Sequence, residues 1–193
     1  MNKRSGGETR RKILAAAQRI FTDQGYEAAS MRTIARAAGI SVGCLYLYFE
    51  NKSDLYITIL REWLDGLQGL TLGALARADG PRDELAVFVS TTFQYAREHR
   101  ELLLLQRSEA GCGLGVELKR EFFRTRRDLL ADIVRRGTEE MVFVECDPAE
   151  MAAIIFTLIR GFMLSLLIDG EAAFDAASCT DLILNGLTRR NDG

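Results

Sequence analysis

The chain contains 193 residues, 48% of them hydrophobic and 27% charged, with a formal net charge of -2. That length suits one large domain or a small head joined to a core-forming body, and the apolar content suffices for packing without metal or disulfide staples. Four cysteines, Cys44, Cys112, Cys146 and Cys179, stand more than thirty residues apart with no Cys-x-x-Cys pair, and His99 is the single histidine, a pattern that argues against a zinc site.

No metal and no cofactor are expected. The opening run MNKRSGGETRR lacks the apolar stretch of a secretory signal, which together with scattered thiols points to a reduced protein of the cytoplasm. The small net charge conceals an asymmetry: residues 1–61 carry ten Lys or Arg against five Asp or Glu, and the remaining residues carry fifteen against twenty-two. A basic head on an acidic body fits a polyanionic partner, because neutralising phosphates releases counterions. Ordinary scatter of surface charge gives the same numbers.

Prolines occur at Pro81 and Pro148 alone, and apolar residues recur at helical spacing, so the fold class is all-α. Residues 1–8 read as a polar arm. A first helix is expected over Arg10 to Gln24, with Thr9 as N-cap, an apolar stripe of Ile13, Leu14, Ala17, Ile20 and Phe21, and Gly25 as its stop. Ser30 then caps a short helix whose Met31, Ile34, Ala35 and Ala38 share a face. After Gly39-Ile40-Ser41 a second short helix is expected from Val42 to Phe49, with Leu45 and Phe49 turned inward. Two short helices about a glycine turn make a helix-turn-helix, in which Gly39 supplies a positive φ and Ser41 a cap. Asn51 caps a long helix from Lys52 to about Leu72, weakened by Gly66, Gly69 and Gly73. Further helices are expected from Pro81 to Arg97, from beyond His99 to Ser108, from Val116 to Glu140, from Pro148 to Ile168 and from Phe174 to Leu187, about nine in all. The head is drawn at residues 1–51 and the body at 52–193.

The run SMRTIARAAGISVGCLYLYFENKSDL, from Ser30 to Leu55, closely resembles the signature of the tetracycline-repressor (TetR) family of bacterial regulators. Ile34-Ala35, Ala38 to Ser41, Gly43, Leu45-Tyr46, Tyr48-Phe49, Asn51-Lys52 and Asp54-Leu55 carry the match. The resemblance implies that the chain is not an enzyme but a repressor that binds a palindromic DNA operator as a homodimer and is released by a small-molecule effector. It implies that Ser30 and Arg32 approach DNA, that Ser41, Val42 and Gly43 open the recognition helix in the major groove, and that Tyr46, Tyr48 and Lys52 meet phosphates. Two positions depart from the family pattern. Cys44 stands where a hydroxyl is frequent and is a poorer donor to phosphate, and Val42 offers an apolar contact in place of a polar one.

Residues 151–168 are apolar on every side, yet Arg160 in their middle opposes a membrane span. Burial on two faces, against the core and against a second subunit, accounts for such a helix. The resemblance places the dimer interface on the last two helices, and Ile155, Leu158, Gly161, Phe162, Ser165, Leu182, Ile183 and Leu187 suit it. Trp63, Phe88, Thr92, Phe93, Tyr95, Arg107, Phe122, Phe123 and Phe156 either line an effector cavity or form ordinary core. Arg107, if buried, needs an anionic partner: Glu109, Glu121 or a ligand carboxylate.

Overall fold

The structure is a computed structural model; it describes the backbone of residues 3–107, 113–169 and 175–187 and the side chains of residues 6–103, 113–169 and 175–187. Among the described residues there are nine α-helices and no β-strand: α1 (Lys3–Gln24), α2 (Met31–Ala37), α3 (Val42–Tyr46), α4 (Lys52–Leu75), α5 (Pro81–Glu98), α6 (Arg100–Arg107), α7 (Val116–Glu139), α8 (Pro148–Ile168) and α9 (Ala176–Leu187). The all-α class and the nine-helix order agree with the sequence. The expected start of the last helix at Phe174 lies outside the described residues.

Three boundaries differ from expectation, each for a local reason. α1 begins at Lys3, so Thr9 is an interior helical residue and not its cap. Its first turns carry the Glu8–Lys12 ion pair at 2.9 Å, and the hydrogen bond from Lys12 holds the Glu8 carboxyl below its usual range. α3 ends at Tyr46, because the chain tightens there into bonds three residues apart, Leu47 N to Cys44 O and Tyr48 N to Leu45 O. α4 runs on to Leu75 through its glycines. At Gly66 a Cβ would stand 2.4 Å from the Tyr95 hydroxyl, so the missing side chain permits a close approach to α5.

The chain forms two compact units, residues 1–64 with 101–116, and residues 65–100 with 117–193. The boundary expected after residue 51 falls inside the first unit, because α4 contributes to its core. Tyr56 packs edge-on against Phe21 and Tyr26, with ring centroids 5.8 and 5.4 Å away, and Leu55, Ile59 and Leu60 are buried too. α6 joins the same unit through Glu101, whose carboxylate accepts from Gln18 and whose carbonyl accepts from Thr22.

In the second unit α5 packs on α8 and α9, burying Leu85, Phe88, Val89 and Phe93 with Ile155, Ile159, Phe162, Ile183 and Leu184. Arg136 of α7 grips both carboxylate oxygens of Glu84 at the start of α5. Val144 donates to the Leu187 carbonyl at 2.8 Å and fastens the end of α9. α8 is long and apolar enough to cross a membrane by length and composition, but its inner row of Ala152, Ile155, Ile159, Phe162 and Leu166 is buried in the protein's own core.

α7 stops in a left-handed cap. Val142 N donates to Gly137 O at 2.8 Å and Met141 N to Thr138 O at 3.1 Å, with Met141 itself at φ 58°. A side chain there opposes the carbonyl that follows it, and Met141 is exposed, so it recovers little by packing. Met141→Gly is expected to raise stability by about 0.5–1 kcal/mol, visible as a higher urea midpoint with an unchanged m-value. An unchanged or lower midpoint would show that the left-handed cap costs nothing here.

Candidate nucleic-acid interface

The head is built by caps more than by helix length. Ser30 and Thr33 form a reciprocal capping box: Ser30 Oγ accepts from Thr33 N at 3.1 Å, and Ser30 N donates to Thr33 Oγ1 at 3.1 Å. α2 ends in a second left-handed cap, with Ile40 N donating to Ala35 O, Gly39 N to Arg36 O, and Gly39 at φ 70°. Ser41 Oγ then accepts from Cys44 N at 3.1 Å and opens α3. Leu45 and Phe49 anchor this short helix in the core at 0% and 3% exposure. Its other faces are left to solvent.

On that outer surface stand Ser30, Arg32, Ser41, Gly43 and Tyr46, all exposed, with Val42 and Cys44 half-buried beside them. The first turn of α3 therefore presents small side chains and backbone, a surface able to enter a groove closely. Tyr48 is half-buried, its hydroxyl 3.8 Å from where a Cβ of Gly6 would stand. Leu47, which no sequence signal singles out, is 75% exposed next to Tyr46 and caps α3 at its C-terminal end.

Lys52 is placed differently from the phosphate contact that the resemblance implies. Its Nζ donates to the carbonyls of Tyr26, Glu27 and Ala29 at 2.7, 3.2 and 3.0 Å, and it lies 4.3 Å from the centre of the Tyr26 ring. An ammonium has three protons, so all its donors are engaged by the loop between α1 and α2. Lys52 thus clamps the start of α4 to the loop that leads into α2. Tyr26 repeats the tie through its hydroxyl, 2.8 Å from Ser53 Oγ.

The candidates for an effector cavity are divided. Trp63 is buried in the first unit, and Phe88, Thr92, Phe93 and Tyr95 are buried along α5 in the second, while Phe122 and Phe156 are half-buried. The side chain of Arg107 lies outside the described residues. The buried arginine is Arg126, 1% exposed, donating to Thr71 Oγ1 at 3.0 Å and to Thr92 Oγ1 at 2.6 Å, between the rings of Phe88 and Phe122. Burial lowers its pKa to about 10, so the folded protein holds that proton less firmly than the unfolded chain does. At neutral pH the charge therefore opposes folding, a cost that fades as pH rises from about 10. The sequence signal was the spacing of Arg126, Leu130, Ile133, Val134 and Gly137, which puts Arg126 on the buried stripe of α7, but the arginines around it suggest a solvated face.

The dimer candidates divide as well. Ile155, Phe162, Ile183 and Leu187 are 0–6% exposed and belong to the core of the second unit, a correction to their expected place on an outward interface. Leu158, Gly161 and Leu182 face outward, Ser165 is half-buried, and Ile154, Leu164 and Ile168 extend the outward row of α8. Among the described residues no group of three His, Cys, Asp or Glu side chains is placed to hold a metal.

Two capped helices about a left-handed glycine, braced by α1 and α4, define a helix-turn-helix domain. Residues 13–59 match the family model described as bacterial regulatory proteins, tetR family. The transcriptional repressor KstR2 of Mycolicibacterium smegmatis is 30% identical over 138 residues, 69% of this chain and 67% of that protein. The chain belongs to the TetR family. The transcriptional activator FasR of the same organism is 35% identical over 94 residues, which cover 49% of this chain and 43% of FasR. Among solved structures, the regulator FadR of Bacillus subtilis in complex with stearoyl-CoA has the same fold, with a TM-score of 0.77 at 21% identity over 91% of this chain and 98% of that one.

Replacing Lys52 by alanine is expected to leave three loop carbonyls without their donor and to lower stability by about 1–3 kcal/mol. DNA binding should weaken alike for all duplexes while the slope of affinity against salt stays unchanged, since that slope counts neutralised phosphates. Binding isotherms between 50 and 200 mM salt decide the matter; a slope smaller by about one returns Lys52 to the phosphate backbone.

Proposed function

We propose that the protein is a ligand-responsive DNA-binding regulator acting in the cytoplasm, a repressor that holds a palindromic operator as a homodimer and lets it go when a small effector binds the second unit. The observation that carries this reading is the exposed first turn of α3, rigidly capped at Ser41 and backed by buried Leu45 and Phe49. An α-helix entering the major groove reads base edges with its N-terminal residues, here Ser41, Val42 and Gly43. Arg32, Tyr46 and Tyr48 flank that edge and suit backbone contacts, with Arg32 also in reach of a base.

One such head covers one half-site. Two are brought together by the outward row of α8, Ile154, Leu158, Gly161, Leu164 and Ile168, with Leu182 of α9. These residues recur at helical spacing, and Gly161 lets a partner helix approach closely. A second copy of the chain meets the same row in itself, as a twofold interface requires.

Release follows from the path of α4, one helix whose first half is built into the head and whose second half belongs to the other unit. A ligand that favours a different placement of α4 also moves Lys52 and the loop it clamps. Because DNA fixes the half-site spacing at about one helical turn, the heads then lose their register. The stearoyl-CoA held by the Bacillus FadR and the repressor role of KstR2 support this reading by kinship.

Selection from a random duplex library at fixed salt tests the proposal, with a palindrome whose half-sites lie about one turn apart as the expected result. The double substitution Leu158→Glu with Leu182→Glu is expected to turn a dimer into a folded monomer in sedimentation and to abolish binding to the full palindrome. A dimer that survives the pair of charges sinks the interface. No enriched sequence, with no binding even at low salt, sinks the DNA-binding reading itself.

A further inference from the structure

Among the described residues Arg126 is the largest of the fully buried side chains, and none of them sets a carboxylate against its charge. Both its hydrogen-bond partners are neutral. Thr71 Oγ1 donates its own proton to Leu67 O at 2.8 Å, and Thr92 Oγ1 donates to Phe88 O at 2.6 Å. Each hydroxyl therefore turns a lone pair, and no proton, toward the guanidinium. None of the ion pairs among the described residues involves Arg126. A guanidinium has five N–H donors, so three, the Nε–H among them, find no acceptor among the described residues.

What flanks these donors is aromatic. The guanidinium carbon lies 4.5 Å from the centre of the Phe88 ring and 5.6 Å from that of Phe122. From Phe122 a row continues to Phe123 at 5.6 Å and on to Phe156 at 5.7 Å, and all three rings are half-buried. Phe88 is fully buried, whereas each ring of the row is partly open to solvent.

We infer that Arg126 is the anion-binding residue of the effector site, and that the effector is an amphipathic monocarboxylate whose acid group sits on the guanidinium and whose apolar body lies along Phe122, Phe123 and Phe156. This rests on the ligand-responsive reading above and adds the chemical class of the ligand. A planar carboxylate matches the remaining donor fork and cancels the single charge. A cationic ligand is repelled, and an alcohol leaves the charge uncompensated. The unliganded protein carries that charge at a cost, as binding sites commonly do.

The test uses the full chain with octanoate, decanoate and 4-phenylbutanoate, each beside its matching alcohol, and octylamine. Calorimetry and thermal melts are run on the wild type and on Arg126→Met. At least one acid is expected to bind about thirtyfold or more tightly than its alcohol and to raise Tm, with no binding of octylamine. Arg126→Met is expected to lose this preference, and its unliganded Tm should equal or exceed that of the wild type, since both threonines keep their backbone bonds.

No acid binding better than its alcohol, or a preference that survives in Arg126→Met, overturns the inference. So does a marked fall in the unliganded Tm of that variant, which would make Arg126 a structural tie. The two readings part when DNA is added. An acid that binds through Arg126 yet leaves the DNA complex intact removes the release mechanism and keeps the anion site. Release of DNA by uncharged compounds alone keeps the mechanism and removes the site.

Discussion

Three carbonyl oxygens, those of Tyr26, Glu27 and Ala29, converge on the Lys52 ammonium, and the geometry of the head depends on that meeting. Between α1 and α2 the chain reverses within a few residues, and its carbonyls have no helical partners there. Two of these three contacts are part-buried, where water replaces a lost donor only incompletely. A single tetrahedral donor set satisfies all three and fixes where α2 begins. Since Lys52 also starts α4, the same contact ties the longest helix of the head to the shortest ones. The Tyr26–Ser53 contact and the cluster of Phe21, Tyr26 and Tyr56 reinforce it with hydrophobic burial.

Much of the fold is legible in the sequence where side chains announce backbone geometry. Ser30, Gly39 and Ser41 mark the ends of α2 and α3 because their caps are side-chain or glycine events. The start of the helix Pro148–Ile168 is legible because proline suits the first helical turn, and the structure adds Asp147 as its cap. What escaped has other causes. The partners of Lys52 are main-chain oxygens more than twenty residues away, which no residue pattern encodes. The glycine pair at Gly6 and Gly7 suggests an arm, yet α1 runs through it. In α8, apolar on every side, periodicity carries no information about which row faces the core, so nothing in the residue order separates the inward Ile155 and Phe162 from the outward Ile154 and Leu164.

Ion pairs and solvent meet cations in both units: Arg10 reaches Glu62, Lys12 reaches Glu8, Arg136 reaches Glu84, and Arg32 and Arg36 are exposed, while Lys52 is held by main-chain carbonyls. The second unit encloses Arg126 among rings and hydroxyls. Among the described residues that charge is met by neutral acceptors alone, an arrangement that costs folding energy.

α3 has five residues, far too few to be helical in isolation. It exists because Ser41 caps it and Leu45 and Phe49 fasten it, and none of those tasks falls to the side chains of Val42, Gly43 or Cys44. Evolution can therefore rewrite these three positions without disturbing the fold that presents them. The division separates the inheritance of a shape from the inheritance of a preference. Related proteins can share this head, helix for helix, while each answers to a different stretch of DNA.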